Sequence, residues 1–312
     1  MTHLDRAIEL AERGRGTTHP NPIVGAVVVR EGRVVGEGWH QRKGEPHAEI
    51  HALAAAGDAA RGATLYVSLE PCSHYGATPP CTDAIVAAGV AKVVVGAADP
   101  QPHVDGMERL RGAGIEVEIA DVFEARRQNE AWRTWVREKR PFVIYKAAVT
   151  LDGRVTVPGS RWVTGEGARR RVHELRAASD AVAVGTGTVR ADSPRLDARG
   201  VPVLRQPRRL AFGRGPLPEG SELELRTGPL LDELAALAAE GVQSLLLEGG
   251  PTLATAFLRE GLVDKVLLFV APTVAGEGRH FLDELPGPVK LTRLSAEQVA
   301  DDVLLQAYVR EP

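Results

Sequence analysis

The sequence predicts an α/β protein built from two domains. Its 312 residues are long for one domain and comfortable for two, at roughly 100–200 residues each. Short apolar runs alternate with helix-like segments in both halves, which is the pattern of a mainly parallel sheet covered by helices. A charged helical stretch, roughly 121–140, ends at Pro141, and a new apolar strand begins directly after it. We therefore place the domains at residues 1–140 and 141–312.

In the first domain, apolar runs rich in Val, Ile and Leu predict short buried strands. These strands are expected at 23–29, 33–39, 63–69, 91–96 and 115–119, the second as the hairpin partner of the first. Between them lie segments of high helical propensity, two of which are followed by Gly57 and Gly89 as helix-ending residues. The helices are expected at 47–56, 82–88 and 104–113.

The second domain has the same alternation. Strands are expected at 142–149, 180–185, 208–212, 243–248 and 264–270. Helices are expected at 166–177, 230–240 and 251–260. The Pro-, Gly- and Arg-rich stretch 194–220 predicts loops around its one short strand. No internal repeat relates the halves, so two different α/β domains are expected.

Composition disfavours several classes of protein. A net charge of −3 disfavours a dedicated nucleic-acid or membrane-surface protein. No apolar run approaches the roughly 18 residues that span a bilayer, and the N-terminus lacks the features of a secretory signal. We therefore expect a cytoplasmic protein whose partner is a small molecule. A homo-oligomeric state is a further expectation. In that reducing compartment the two cysteines, Cys72 and Cys81, favour metal binding or redox chemistry over a disulfide.

Four residues have the types and the order of a catalytic zinc site. Such a site needs three protein ligands and one open position for water, and His47, Cys72 and Cys81 supply three ligands. Glu49 lies two residues after His47, at the start of a predicted helix and close to the open position. In zinc deaminases such a glutamate is not a ligand but moves a proton from the water to the base under attack. The pattern therefore predicts zinc-dependent deamination.

Other roles exist for each of these residues. Taken singly, His47 is an ordinary helix-start histidine, and either cysteine is a small buried side chain; the correct order of all three favours the metal site. His51, one helical turn after His47, is a rival ligand of the kind found in zinc proteases. That motif, H-E-x-x-H, requires a glutamate beside the first histidine, where this sequence has Ala48.

The spacing of the two cysteines indicates a family. Eight residues separate them, whereas the common deaminase motif is P-C-x-x-C. The sequence instead fits P-C-x-H-x-G-x-T-P-P-C, at Pro71, Cys72, His74, Gly76, Thr78, Pro79, Pro80 and Cys81. With H-P-N-P-x-V-G at 19–25 and G-x-G-x-H at 36–40, it resembles the bifunctional riboflavin-biosynthesis deaminase/reductase family. The resemblance implies a cytidine-deaminase-like α/β/α sandwich, with Asn21, His40 and His74 facing the substrate.

The second half resembles the reductase domain of the same family. The matching blocks, in the family's order, are YKAAVTLDGR at 145–154, W-V-T at 162–164, His173-x-x-Arg176, the run 179–196 and E-G-G-P-T-L at 248–253. The resemblance implies a dihydrofolate-reductase-like α/β fold and NADPH as the cofactor.

The last of these blocks also has a physical role of its own. A strand is expected to end at Glu248, two glycines permit close backbone approach, and Pro251 suits the first position of a helix. The exposed N–H groups of such a helix start form an anion site suited to a dinucleotide pyrophosphate. Gly185-x-Gly187-Thr188 is a second glycine-rich strand exit. Neither is a G-x-G-x-x-G fingerprint, so a Rossmann domain is not expected.

The resemblance implies two sets of residues in this domain. The cofactor would contact Ala148, Trp162, Thr188, Asp192, Gly250, Pro251, Thr252, Leu253, Ala254, Thr255 and Ala256. The substrate would contact Ser160, Arg176, Leu196, Arg199 and Glu248. Arg176 and Arg199 suit a ribose-linked phosphate, because guanidinium groups bind phosphate through two parallel hydrogen bonds. Exposed arginines are numerous in this half, so solvent-facing roles are the alternative.

The sequence departs from the family pattern at several positions. Ala77 stands where the family usually has a basic residue, and Gln101 replaces the asparagine of a D-P-N-P segment. The stretch 153–162 is shorter than usual, which affects Ser160. Gly213-Arg214 replaces an acidic or small polar pair, and Arg214 is a candidate for the 2′-phosphate of NADPH. None of these departures touches the predicted zinc ligands.

The implied function is two consecutive steps of riboflavin synthesis. The first deaminates 2,5-diamino-6-ribosylamino-4(3H)-pyrimidinone 5′-phosphate, with Glu49 as the catalytic residue, and the second reduces its ribosyl chain to ribityl with NADPH. A cytidine, guanine or tRNA-adenosine deaminase with an accessory domain is one alternative, but its C-x-x-C spacing is absent. A non-catalytic zinc-stabilised binding protein is another, although a structural site has no use for Glu49 and usually closes with a fourth ligand.

Overall fold

A computed structural model describes residues 1–75 and 79–312 of the chain. Ala77, at which the sequence departs from the family pattern, lies outside the described residues together with Gly76 and Thr78. The chain divides into two compact units, Met1–Glu138 and Lys139–Glu311, and each has an α/β architecture. The prediction of two α/β folds is therefore confirmed. Within the described ranges, no helix has both the length and the apolar character needed to cross a membrane.

The first unit is a five-stranded sheet with helices on both faces. Its strands are β1 (Gly25–Arg30), β2 (Arg33–Trp39), β3 (Thr64–Val67), β4 (Lys92–Val95) and β5 (Glu116–Ile119). Its helices are α1 (His3–Ala11), α2 (Ala48–Ala56), α3 (Cys81–Ala88), α4 (Gly106–Gly112), α5 (Phe123–Gln128) and α6 (Glu130–Glu138). The strand order is β2-β1-β3-β4-β5. Successive residues of β1 point to opposite faces, so Val28 packs with α2 and Val27 with α1.

The direction of β1 differs from the mainly parallel sheet that the alternation predicted. β1 is antiparallel to both neighbours, β2 and β3, and only β3, β4 and β5 run parallel. The reversal comes from the tight turn between β1 and β2, where Glu31 and Gly32 both have positive φ, at 50° and 75°. Two such residues form the turn that joins neighbouring antiparallel strands. Because β3 runs in the same direction as β2, it is antiparallel to β1. The hairpin was expected, but its effect on the β1–β3 pairing was not.

Two glycines of β2 let α2 lie directly on the sheet. A Cβ at Gly36 would lie 2.2 Å from the carbonyl oxygen of Ala52, and one at Gly38 would lie 2.5 Å from that of Ala48. Both distances are below any van der Waals contact, so neither position accommodates a side chain while the helix stays in place. Because α2 begins directly after His47 and contains Glu49, this close approach sets the depth of both residues.

We expect Gly38→Ala to lower the free energy of unfolding by about 1–3 kcal/mol, because overpacking forces backbone shifts of this cost. The added methyl group has to displace α2, so the zinc content of the purified protein should fall as well. Thermal unfolding and metal analysis measure the two effects. The matched control is Gly112→Ala in α4, where a Cβ would meet no atom within 4 Å. Equal stability of the two variants would contradict this account.

The charged stretch 121–140, expected as one helix, is two helices that break at Asn129. The carboxamide of Asn129 accepts a hydrogen bond from the N–H of Ile23 and donates one to its carbonyl oxygen, both at 2.9 Å. Asn129 itself is buried and leaves the helical conformation, with φ at −117°. Two long-range hydrogen bonds in the interior thus outweigh the local preference for a continuous helix. They also fasten the segment that carries Asn21.

The second unit is an eight-stranded sheet, also covered on both faces. Its strands are β6 (Phe142–Thr150), β7 (Ala181–Gly185), β8 (Arg208–Phe212), β9 (Glu224–Arg226), β10 (Ser244–Leu247), β11 (Lys265–Ala271), β12 (Thr292–Val299) and β13 (Asp302–Tyr308). Its helices are α7 (Glu166–Ala178), α8 (Thr186–Asp192), α9 (Leu230–Ala239) and α10 (Pro251–Arg259). The strand order is β12-β13-β11-β6-β10-β7-β8-β9, with β11 through β9 parallel and β12 and β13 added as an antiparallel hairpin.

A buried ion pair fixes the start of this unit. The guanidinium of Arg140 donates two hydrogen bonds of 2.7 Å to the carboxylate of Asp264, just before β11, and both side chains are buried. Asp264 also accepts the N–H of Val143 through its carboxylate. Its backbone carbonyl accepts the N–H groups of Val309 and Arg310. The first strand of the unit, the start of β11 and the end of the chain are therefore joined at one residue.

Candidate functional site

His47, Cys72 and Cys81 are brought together in the first unit, as the sequence predicted. His47 is the N-cap of α2, Cys81 is the first residue of α3, and Cys72 lies in the loop after β3. The Nδ1 atom of His47 lies 3.2 Å from the sulfur of Cys81 and 3.5 Å from that of Cys72. Tetrahedral zinc with ordinary bond lengths separates its nitrogen and sulfur ligands by about 3.5 Å. The three groups therefore fit a zinc ion, and His51 is not a member of the cluster that they form.

The environment of Cys72 favours a thiolate. Hydrogen bonds from the Cys81 thiol and from His47 lower the pKa of Cys72 to about 4. The backbone N–H of Cys81, at the first turn of α3, also donates to the Cys72 sulfur over 3.3 Å. The proton shared with Cys72 stays on Cys81, and together with burial it raises the pKa of Cys81. Because zinc binds thiolates, the pair is prepared for a cation that replaces the shared proton.

Glu49 lies in the first turn of α2 and is almost completely buried, with 3% of its surface exposed. Burial raises the pKa of its carboxyl group. The Oε2 atom of Glu49 has no hydrogen-bond partner among the described residues. A buried carboxyl group with one oxygen unpaired, two residues from a metal ligand, suits a group that takes up and releases a proton during catalysis.

His40 lies beside the metal ligands, whereas His74 lies at the surface. The Nδ1–H of His40 donates to the carbonyl oxygen of Pro46 at 3.2 Å, and its ring meets that of His47 edge-to-face at 5.2 Å. Its Nε2 atom is buried and, within the described part of the chain, has no partner. The exposed ring of His74 contacts His103, with the centroids 5.0 Å apart. Asn21 is half-buried in a turn closed by its N–H to the carbonyl oxygen of Thr18.

A second loop holds the loop of Cys72 in place, and sequence reasoning missed it. The carboxylate of Glu70 accepts the N–H of Asp99 at 3.1 Å and that of Met107 at 3.0 Å. The Ser73 hydroxyl oxygen accepts the N–H of Asp105, and a Cβ at Gly106 would lie 1.9 Å from the carbonyl oxygen of Pro71. Glu70 precedes Pro71-Cys72 directly, so this buried acid links the cysteine to residues 99–107. The sequence feature that could have indicated this role is an acidic residue at the end of an apolar strand.

We expect Glu70→Gln to release zinc to a competing chelator roughly tenfold faster, the scale on which outer-shell hydrogen bonds affect metal sites. A carboxamide has one acceptor oxygen, so one of the two N–H groups would face an amide nitrogen instead. A chromophoric chelator measures the rate. The matched control is the exposed Glu108→Gln in α4, and reductase activity reports whether the second unit is unchanged. Equal zinc release from both variants would count against a positioning role for Glu70.

In the second unit, three charged side chains meet where β10 ends. The carboxylate of Glu248 accepts hydrogen bonds from Nε and Nη2 of Arg176 at 2.6 Å and 3.0 Å. The Nζ atom of Lys146, from the middle of β6, lies 3.6 Å from the same carboxylate. Burial alone would raise the pKa of Glu248, but the charges of Lys146 and Arg176 lower it. Lys146 was absent from the predicted set of site residues. A lysine at the centre of an apolar strand is unusual, and that feature could have indicated its role.

The predicted cofactor residues gather at the ends of β7 and β10. A Cβ at Gly250, the N-cap of α10, would lie 3.4 Å from the hydroxyl of Thr188 in α8. Pro251 is the first residue of α10, as expected. Ala254 and Thr255 are buried, and the N–H of Ala254 donates to the carbonyl oxygen of Gly250. The hydroxyl of Thr252 is bonded to Asp283 at 3.0 Å. Leu253 and Ala256 are half-buried in the same helix.

The remaining cofactor positions are spread over three elements. Ala148 is half-buried in β6, and Asp192 is exposed at the end of α8. Trp162 is 52% exposed, and the guanidinium groups of Arg161 and Arg169 lie 5.0 Å and 5.2 Å from its ring centroid. These are cation–π distances.

The predicted substrate positions beyond Arg176 and Glu248 lie on two loops. The Ser160 hydroxyl donates to the carbonyl oxygen of Trp162 at 2.8 Å. Leu196 is buried, with a φ of 54°. Arg199 is exposed and donates to the carboxylate of Asp197 at 2.5 Å. All three residues lie in the same unit as Glu248; Ser160 and Arg199 are exposed, whereas Leu196 is buried.

The departure at Gly213 has a structural reason. Its φ is 134°, and a Cβ there would lie 2.5 Å from the hydroxyl of Thr186. Such a backbone conformation strongly favours glycine. The side chain that the family usually has at this position is therefore excluded by the local backbone, and the departure does not by itself indicate loss of the site.

Known proteins match nearly the whole length of the chain. Residues 141–305 match the family described as RibD C-terminal domain, and residues 1–97 match the cytidine and deoxycytidylate deaminase zinc-binding region. The riboflavin biosynthesis protein RibD of Aquifex aeolicus is 39% identical, over 97% of this chain and 96% of its own. A structure of Acinetobacter baumannii RibD is 37% identical with a TM-score of 0.86, and covers 98% of this chain and 97% of its own.

A second solved structure names both activities. The diaminohydroxyphosphoribosylaminopyrimidine deaminase/5-amino-6-(5-phosphoribosylamino)uracil reductase of Thermotoga maritima is 36% identical, with a TM-score of 0.82. It covers 98% of this chain and 97% of its own. Matches of this extent disfavour both alternatives, a deaminase of another class with an accessory domain and a non-catalytic zinc protein. The chain therefore belongs to the family of the riboflavin biosynthesis protein RibD, and it is a bifunctional enzyme with a deaminase and a reductase activity.

Proposed function

We propose that residues 1–140 deaminate 2,5-diamino-6-ribosylamino-4(3H)-pyrimidinone 5′-phosphate and that residues 141–312 then reduce the ribosyl chain of the product to ribityl. Zinc is the cofactor of the first reaction and NADPH that of the second. The observation that carries the proposal is the cluster of His47, Cys72 and Cys81 beside the buried carboxyl of Glu49. The full-length similarity to the Thermotoga maritima deaminase/reductase supports the choice of substrate.

In the deaminase reaction, His47, Cys72 and Cys81 would hold the zinc ion through Nδ1 and two sulfurs. A zinc ion held there would lower the pKa of a water molecule to about 7 and so supply hydroxide near neutral pH. Glu49 would take one proton from the attacking water and deliver it to the amino group on the attacked ring carbon, while the other water proton passes to the ring nitrogen. The carbon–nitrogen bond then breaks, ammonia leaves, and a carbonyl group remains.

Around that centre we assign three substrate contacts. His40, with Nδ1 donating to Pro46, has only its Nε2 atom left for the pyrimidine or its ribose. Asn21 is placed by the turn that follows Thr18, and Asn129 holds the next residues. His74 lies at the exposed side of the Cys72 loop, where the phosphorylated end of the substrate would reach solvent.

In the reductase reaction, the start of α10 would bind the pyrophosphate of the cofactor. Gly250 and the backbone of the first turn present N–H groups there, at the positive end of a nine-residue helix. NADPH bound there would supply the hydride for the sugar carbon, and one proton would complete the reduction. The further contacts to the cofactor that we assign are Ala148, Trp162, Thr188, Asp192 and Pro251 to Ala256.

The substrate of the reductase would be bound by charged groups at the end of β10 and in the loop after α8. Arg176 and Arg199 provide fixed positive charge for the 5′-phosphate. Glu248 and Lys146, 3.6 Å apart, offer an acceptor and a donor to the pyrimidinedione or the sugar hydroxyls. Ser160 and the backbone of Leu196 complete the assigned set. A cytoplasmic location and a homo-oligomeric state complete the proposal.

A mass-resolved assay of the purified zinc protein with the diaminopyrimidinone ribosyl phosphate tests both steps. Without NADPH, we expect a product about one mass unit heavier, the change when an amino group becomes a carbonyl. With NADPH, that product should gain two hydrogens, the result of one hydride and one proton. An unchanged substrate in both conditions would contradict the proposed function.

A further inference from the structure

His173 shares a hydrogen-bond acceptor with Arg176, a residue to which we assign the substrate phosphate. The Nδ1 atom of His173 lies 3.2 Å from the carbonyl oxygen of Asp197, and Nη1 of Arg176 donates to the same oxygen at 3.1 Å. A carbonyl oxygen only accepts, so the proton of the His173 ring is on Nδ1. The ring is thereby oriented with Nε2 directed away from Asp197.

The loop that supplies this carbonyl has a constrained shape. Ser193 and Leu196 have positive φ, at 42° and 54°, and the Leu196 side chain is packed in the core below β7 and β8. Asp197 therefore turns its carbonyl oxygen toward α7. Its carboxylate accepts hydrogen bonds from Arg199 at 2.5 Å, and Arg195 lies 3.2 Å from it. Asp197 thus binds His173 and Arg176 through its carbonyl oxygen, and Arg199 and Arg195 through its carboxylate.

Arg176 and Arg199, the two cations whose charges act on His173, are also the residues to which we assign the substrate phosphate. Arg176 is on the same helix, Arg199 and Asp197 are on the loop, and Arg176 is in turn paired with Glu248 from the end of β10, beside Lys146. Burial and the charges of Arg176 and Arg199 lower the pKa of His173, so its ring is neutral near pH 7 without a ligand. The two arginine charges that disfavour its protonation are those that a phosphate dianion would neutralise.

We propose that His173 is a third ligand of the substrate 5′-phosphate in the reductase, and that it takes up a proton as the phosphate binds. Neutral His173 has an acceptor at Nε2, which a phosphate oxygen repels; protonated His173 donates from Nε2 to that oxygen while Nδ1 keeps its bond to Asp197. The proton comes from solvent, and no covalent bond changes. The inference rests on the proposed reductase function, because it requires a phosphorylated substrate.

The test compares the deaminated substrate with and without its phosphate, in wild type and in His173→Ala. For the phosphorylated compound, we expect the kcat/KM of His173→Ala to be about tenfold lower, through KM, as for a lost hydrogen bond to a charged group. For the compound without phosphate, the two proteins should be equal, which also shows that the variant is folded. Between about pH 7 and 8.5, where phosphate stays a dianion, the wild-type preference for the phosphate should rise as pH falls.

His173→Gln and Arg170→Gln sharpen the test. The amide of glutamine donates without taking up a proton, so His173→Gln should recover part of the phosphate preference and lose its pH dependence. Arg170 lies on the same helix, 68% exposed, and its replacement removes a charge without touching Asp197. Equal losses on both substrates in His173→Ala, or the same loss in Arg170→Gln, would overturn the inference. Wild-type protein that reduces neither substrate would overturn the proposed function instead.

Discussion

Replacement of Glu49 by glutamine should lower the rate of deamination about 10²- to 10⁴-fold, the usual contribution of a positioned acid–base group, while zinc remains bound. Glutamine has the same shape as the buried glutamate, so the packing of α2 and the three metal ligands should be unaffected. A carboxamide, however, takes up no proton from water and delivers none to the leaving nitrogen. Reduction of the deaminated compound should continue at the wild-type rate.

Ammonia release, zinc content and NADPH oxidation, measured on one preparation, separate these effects. The matched control is Asp58→Asn, which removes a carboxylate from the exposed turn after α2. A Glu49→Gln protein that keeps its zinc and deaminates within a few-fold of wild type would assign the proton transfer to another group. Loss of zinc together with activity would mean that Glu49 acts first on metal binding.

Glu248→Gln should lower the kcat/KM of the reductase about 100-fold or more, which is the scale of losing a buried, charge-assisted contact at a catalytic site. Glutamine keeps one acceptor for Arg176, but its amide nitrogen would face either the second guanidinium N–H or Lys146. Two cations would then share a buried site without an anion, and both would move. Deamination should be unaffected. The exposed Glu260→Gln, just after α10, is the matched control.

The same group sets an expectation for pH. Lys146 and Arg176 hold the pKa of Glu248 below its ordinary value of 4.5, so the carboxylate stays charged throughout the neutral and mildly acidic range. Its stabilising effect is present above the unfolded pKa and is lost only as the pH falls through the lowered folded value. Wild type should therefore lose more stability than Glu248→Gln when thermal unfolding is compared at pH 7 and below about pH 4.

The cluster of candidate zinc ligands was predictable because metal chemistry dictates residue types at short range along the chain. His47 and Glu49 begin one helix, Cys81 begins another, and both helix starts face the same end of the sheet. The start of α10 was predictable for the same reason, because Gly250 and Pro251 favour a helix start through their own backbone conformation. Such local signals survive without knowledge of the tertiary structure.

The missed features depend on contacts between distant parts of the chain. Glu70 holds a loop about 30 residues away through backbone N–H groups, which carry no sequence signal. Asn129 ends a helix because Ile23 is near in space, and the hairpin β12–β13 has an exposed first strand with no apolar alternation. The role of Lys146 becomes visible only when Glu248, which directly follows the neighbouring strand β10, is placed beside it.

The hydrogen bonds between Asn129 and Ile23 limit where the chain can be truncated to give the deaminase unit alone. The zinc-binding family region ends at residue 97, but the polar groups that close this part of the fold come from further along. Gln128 donates to the carbonyl oxygen of Ile8, and Arg133 to that of Ala98. A fragment cut soon after residue 97 would expose these acceptors, together with both backbone groups of Ile23. A fragment that contains only the deaminase unit would therefore have to include all of α6.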